Sequence, residues 1–197
     1  QNNFRVLARR ESDGLLRKPR ISGIGAGKQT IWVPAGAMTA RATNGPSAGA
    51  IETAANKVMI KTLDFDPATR EYAQFAVRMP KSWNEGTVSA NFYWSHASAT
   101  VNFGVVWSLE GAAISDGDAL DAAFGTPQFK GSVGGATDRL YDSGETAAVA
   151  IGGTPSEGDL AVFQVYRVPD HASDTLAVDA RLHGVALFYT INANTDD

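Results

Sequence analysis

Glu71-Tyr-Ala-Gln-Phe-Ala-Val-Arg-Met79 is the stretch that decides the fold class. Phe75, Val77 and Met79 fall on one face, and Gln74 and Arg78 fall on the other. That two-residue period belongs to a half-buried strand. Asp66-Pro-Ala-Thr69 before it reads as a turn, because Pro presets φ and an Asp carboxylate can bond the backbone ahead of it. Pro80 ends the strand on the other side.

The same period recurs outward from that segment. Val88, Ala90, Phe92 and Trp94 alternate with Ser89, Asn91 and Tyr93, and Val101, Phe103, Val105, Trp107 and Leu109 form a longer series. Thr30–Val33, Lys57–Phe65, Ala147–Ile151, Leu160–Val168 and Leu176–Ile191 complete the set. In the last of these, Leu176, Val178, Ala180 and Leu182 share one face. After Gly184 the large residues move to Val185, Leu187, Tyr189 and Ile191. A glycine at such a phase shift predicts a β-bulge. About eight strands at this spacing predict an all-β, jelly-roll-like β-sandwich. The stretches at 43–49, 115–125 and 130–145 read as loops, with a short helical turn expected at Ala119–Phe124.

Composition is consistent with one such domain plus an arm. The 197 residues are 44% hydrophobic and hold 20 glycines, and only 19% are charged. There is no cysteine, which excludes disulfides and thiolate chemistry. The chain opens Gln1-Asn2-Asn3 without a signal-peptide pattern, and no apolar run reaches the ~18 residues of a membrane span. Residues 1–20 carry Arg5, Arg9, Arg10, Arg17, Lys18 and Arg20 against Glu11 and Asp13, or +6 − 2 = +4. With −4 overall, residues 21–197 carry −8, which argues against a nucleic-acid-binding body. The expected division is an extended basic arm with a glycine-rich joint at 1–30 and a sandwich body at 31–197. The six cations are the candidate attachment residues.

Chemical motifs are absent. Gly23-Ile-Gly-Ala-Gly-Lys28 lacks the spacing and the following helix of a phosphate loop, so no cofactor is expected. Asp116-Gly-Asp118-Ala-Leu-Asp121 lacks the Gly and Glu of an EF-hand, so no metal is expected. His96, His171 and His183 stand apart, no nucleophile elbow is present, and no carboxylate pair is singled out. No catalytic residue is expected. Tyr72, Trp83, Tyr93 and Tyr166 fall on or near faces that alternation directs to solvent. They are the candidate contacts for a glycan or a neighbouring subunit. Val106 and Ala186 place apolar side chains on second faces, which predicts self-association.

Residues 31 onward resemble a family of structural proteins common in tailed-phage genomes and prophage-like gene clusters. The resemblance is carried by Ile31-Trp-Val-Pro-Ala-Gly-Ala-Met38, Thr62-Leu-Asp-Phe-Asp66, Met79-Pro-Lys-Ser-Trp-Asn-Glu-Gly86, Ala119-Leu-Asp-Ala-Ala-Phe-Gly125, Gly158-Asp-Leu-Ala-Val-Phe-Gln-Val165 and Asp174-Thr-Leu-Ala-Val-Asp-Ala-Arg-Leu182. It implies a non-enzymatic virion component at the particle periphery: a fibre, a spike or a capsid decoration. A homotrimer is expected from how fibres and spikes are commonly built. The basic arm, which lies outside the resemblance, is the expected joint to other virion proteins, and a host surface glycan is a further candidate partner. The alternative reading is a carbohydrate-binding β-sandwich module, and a glycoside hydrolase on the same scaffold ranks last.

Overall fold

The computed structural model describes residues 9–10, 16–17, 27–98 and 100–193. Two short strands, β1 (Arg9–Arg10) and β2 (Leu16–Arg17), pair antiparallel with each other. The body holds β3 (Gly27–Pro34), β4 (Thr39–Ala40), β5 (Ser47–Glu52), β6 (Met59–Phe65), β7 (Tyr72–Arg78) and β8 (Ser89–Ser95). It continues with β9 (Phe103–Ile114), β10 (Gln128–Gly134), β11 (Tyr141–Asp142), β12 (Ile151–Gly152), β13 (Leu160–Arg167) and β14 (Ala180–Ile191).

These strands form two six-stranded sheets. The first runs β10-β9-β13-β7-β4, with β12 parallel to β9. The second runs β11-β8-β14-β6-β5, with β3 on β14. The chain crosses from sheet to sheet along β6, β7, β8 and β9, as in a jelly roll. The fold is therefore the all-β sandwich that the alternation predicts.

The alternating residues fill the space between the sheets. Phe75, Met79, Ala90, Phe92, Trp94, Phe103, Val105, Trp107 and Leu109 are all buried in one core cluster. Phe92 of the second sheet stacks on Trp107 of the first at 5.9 Å between centroids. Trp94 Nε1 donates across the core to Ser132 Oγ at 2.9 Å.

Arg167 ties the two layers together. Its Nη2 lies 2.7 Å from Asp174 Oδ1, and both side chains are essentially fully buried. Its Nη1 donates to the Phe65 and Val178 carbonyls at 3.2 and 2.9 Å. Asp174 Oδ2 accepts the Val106 amide at 3.0 Å. A buried ion pair survives only with such extra bonds, because desolvation alone would exceed the attraction.

Several expectations are corrected. The strands Ser47–Glu52 and Gln128–Gly134 run into the stretches read as loop at 43–49 and 130–145. Their inward positions are small or polar, such as Ser132, so hydropathy does not reveal them. No helix forms at 119–124. The Asp118 carboxylate that would cap it accepts the Ser115 amide instead, and Leu120 is exposed, so a helix there would bury no apolar face. β3 begins at Gly27, so the arm boundary expected at residue 30 falls inside a strand. Val106 and Ala186 are buried within the single chain, so neither needs a second copy to cover it. Val106 is covered by Tyr166 and Val168.

Candidate functional site

The site follows from strand parity and one bulge. In β3, Ile31 and Val33 face the core, which turns Trp32 outward. In β8, Phe92 and Trp94 face the core, which turns Tyr93 outward. In β14 the register slips between Leu182 and Gly184, as the phase shift predicts. Gly184 then pairs with both Tyr93 and Pro34.

Gly184 is required by a close approach. A Cβ there would stand 2.6 Å from Cη2 and Cζ2 of Trp32 and 2.7 Å from the Val33 carbonyl oxygen. The indole therefore lies directly on the bare backbone of the bulge. Tyr93 meets it edge-on at 5.3 Å and 78°. Such an edge-to-face pair fixes ring orientation. Trp32 nevertheless remains 50% exposed.

Trp32 and Tyr93 border a hollow of about 590 Å³ on the outer face of the second sheet. Ile51, Ile60 and Leu140 make its apolar wall. Glu52, Asp138, Arg139, Ser95 and His183 supply the polar groups. Glu52 pairs with Lys57 at 3.0 Å, and Asp138 pairs with Arg181 at 3.3 Å. Ser95 Oγ and His183 Nδ1 have no hydrogen-bond partner among the described residues. Burial, reinforced by Arg181, pushes the His183 pKa down, which favours the neutral imidazole.

The 135–141 segment brings Asp138, Arg139 and Leu140 to the hollow, and buried His96 braces it. The His96 carbonyl accepts the Asp138 amide at 3.0 Å, and its ring stacks on Tyr141 at 5.7 Å. The Tyr141 hydroxyl donates to the Ala136 carbonyl at 2.6 Å. Burial holds the His96 pKa below its ordinary value. A second hollow of about 510 Å³ adjoins the first and shares Trp32, Ile60 and His183 with it.

The candidate aromatics separate. Tyr93 lies in the hollow. Tyr72 and Tyr166 lie together on the outer face of the first sheet, 5.1 Å apart. Arg41 covers the Tyr72 ring at 4.5 Å, Arg70 covers Tyr166 at 5.6 Å, and Tyr166 is buried. Trp83 is a correction: it is 0% exposed and belongs to the core, so it can touch neither glycan nor subunit. It sits in a turn at Pro80, bridged to Ile191, where alternation does not apply. Of the arm cations, Arg9, Arg10 and Arg17 fall in β1 and β2, while Arg5, Lys18 and Arg20 lie outside the described residues.

Trp32 and Arg139 were not singled out as site residues by sequence. The signal for Trp32 was present, since Ile31 and Val33 flank it. Asp66 serves its turn as read, accepting the Ala68 and Thr69 amides, and those bonds lower its pKa. Among the described residues, no group of three or more His, Cys, Asp or Glu is placed to hold a metal.

No family model matches the chain, and no curated protein does. Among solved structures, the chain is similar to TmCBM61 in complex with β-1,4-galactotriose. The likeness has a TM-score of 0.34 and 12% identity, over 83% of this chain and 87% of that chain.

Proposed function

We propose that this protein is a carbohydrate-binding β-sandwich module whose site is the Trp32–Tyr93 hollow. One observation carries the reading: a half-exposed indole, fixed by Gly184 and Tyr93, at the mouth of a 590 Å³ hollow with a polar rim. A sugar ring has an apolar face of C–H groups and a rim of hydroxyls. The C–H face lies against the indole. The hydroxyls then reach Asp138, Arg139, Glu52 and Ser95, which can accept from them or donate to them. The role is binding without catalysis.

Calorimetric titration against a panel of oligosaccharides tests this, with Trp32→Ala alongside the unaltered chain. At least one glycan binds the unaltered chain, and the variant loses that binding while keeping its fold. A ligand that binds Trp32→Ala equally well would refute the placement of the site.

The resemblance to phage structural proteins supplies a setting for this reading. The module would then project from a particle as a homotrimer, held by the basic arm, with the hollow turned towards a host surface. That setting rests on the residues that carry the resemblance.

A further inference from the structure

The two hollows are lined by two carboxylates, Glu52 and Asp138, and two cations, Arg139 and Lys61, which differ in whether the chain itself pairs them. The carboxylates of the first hollow are engaged within the chain, Glu52 by Lys57 and Asp138 by Arg181. Arg139 in the first hollow and Lys61 in the second have no hydrogen-bond or ion-pair partner among the described residues. This occurs on a body whose sequence from residue 21 onward carries −8, so the two cations are not part of a generally basic surface.

Both cations are exposed, and the chain fixes the backbone from which Arg139 projects and the stem of Lys61. Arg139 stands in the segment braced on His96. The stem of Lys61 lies across Gly36, where a Cβ would come within 2.9 Å of Lys61 Cδ. The hollows meet at Trp32, Ile60 and His183, so one extended ligand can occupy both. A guanidinium presents a planar fork that matches a carboxylate or a sulfate, and an ammonium adds a point charge.

We propose that the ligand is an anionic oligosaccharide, with its sugar rings against Trp32 and its carboxylate or sulfate groups on Arg139 and Lys61. This rests on the carbohydrate reading above and narrows it to acidic glycans that span both hollows. A neutral glycan would leave both cations without counter-charge in the bound state.

The test is titration of the full chain with three tetrasaccharides. Oligogalacturonate carries carboxylates only, a carrageenan fragment carries sulfates only, and galactotetraose carries no charge. One or both acidic probes should bind at least about tenfold tighter than the neutral one. The doubly substituted Arg139→Gln, Lys61→Gln chain should lose that preference. Arg78→Gln, on the first sheet, should keep it. Which acidic probe wins assigns the anion as carboxylate or sulfate. Equal binding of all three, abolished by Trp32→Ala, would overturn the anionic preference and leave the carbohydrate site standing. Acidic binding that survives the double substitution would come from elsewhere, such as the basic arm, and would also overturn it. Binding of no probe here, nor of any glycan in the wider panel, would overturn both readings.

Discussion

The outer faces of the two sheets carry similar residues and end in opposite states. The first sheet presents Tyr72 and Tyr166, and the second presents Trp32 and Tyr93. On the first sheet Arg41 and Arg70 lie over the rings, and Gln74, Gln164 and Glu110 bond in a row across β7, β13 and β9. The segment after β13 folds back, so that Val168 and Asp174 satisfy the backbone of Val106. On the second sheet no cation lies over Trp32 among the described residues, and the bulge at Gly184 leaves its ring half bare. Outward aromatics alone therefore do not make a platform. What decides is whether the chain supplies its own covering groups.

The largest effect should come from opening the closed face. Arg167→Ala would leave Asp174 buried without its counter-ion and the Phe65 and Val178 carbonyls without a donor. A loss of about 3–5 kcal/mol is expected in chemical denaturation. If Arg167→Ala unfolds at nearly the same denaturant concentration as the unaltered chain, the ion pair does not hold that face shut.

Gly184→Val attacks the open face from beneath. The added carbons collide with the indole and with the Val33 carbonyl, so the ring must leave its seat. A cost of about 1–3 kcal/mol in stability is expected, with loss of glycan binding. Retained binding in a folded Gly184→Val chain would show that the seat is not needed.

A matched pair sharpens the contrast. Trp32→Ala should cost more than about 2 kcal/mol in glycan affinity, enough to abolish detectable binding. Its stability should change by less than about 1 kcal/mol, because half of the ring was already in water. Tyr72→Ala should do the reverse, lowering the melting temperature without touching affinity. Similar affinity losses for both would mean that the two faces bind alike.

The smallest effect is a pH slope. The native pKa of His96 lies below the ordinary 6.5 because the ring is buried. The unfolded chain therefore takes the proton first as pH falls. The stability tied to neutral His96 is complete above about pH 6.5 and is lost as pH falls towards the native pKa. His183 acts in the same direction. Glu71 and Glu110, raised by burial, act oppositely and lose their contribution as pH rises above 4.5. Denaturation midpoints of His96→Phe should fall less steeply than those of the unaltered chain between about pH 7 and 5. Parallel slopes would assign the dependence to other groups.

The core was legible because period two is a geometric property of strands that face a core on one side. Phe92, Trp94, Phe103 and Trp107 needed nothing else. Edge strands were not legible, since Ser132 reaches its partner Trp94 only after the sheets have packed. Trp83 misled because a residue in a turn takes its burial from whatever closes over it. The hollow was half legible: Tyr93 stood out by alternation. Arg139 gained meaning only when the 135–141 segment came to rest beside β8 and β14.

Because β14 changes frame at Gly184, tolerance to substitution along it changes parity. Before the bulge the even positions Ala180 and Leu182 are closed to polar residues, and after it the odd positions Val185 and Leu187 are. Deleting Arg181 would move Ala180 to the outer face while Leu182 and the second half kept their frame. An even change in length within either half would leave both of its faces in place. The glycine itself acts as the fixed reading point from which both halves are counted.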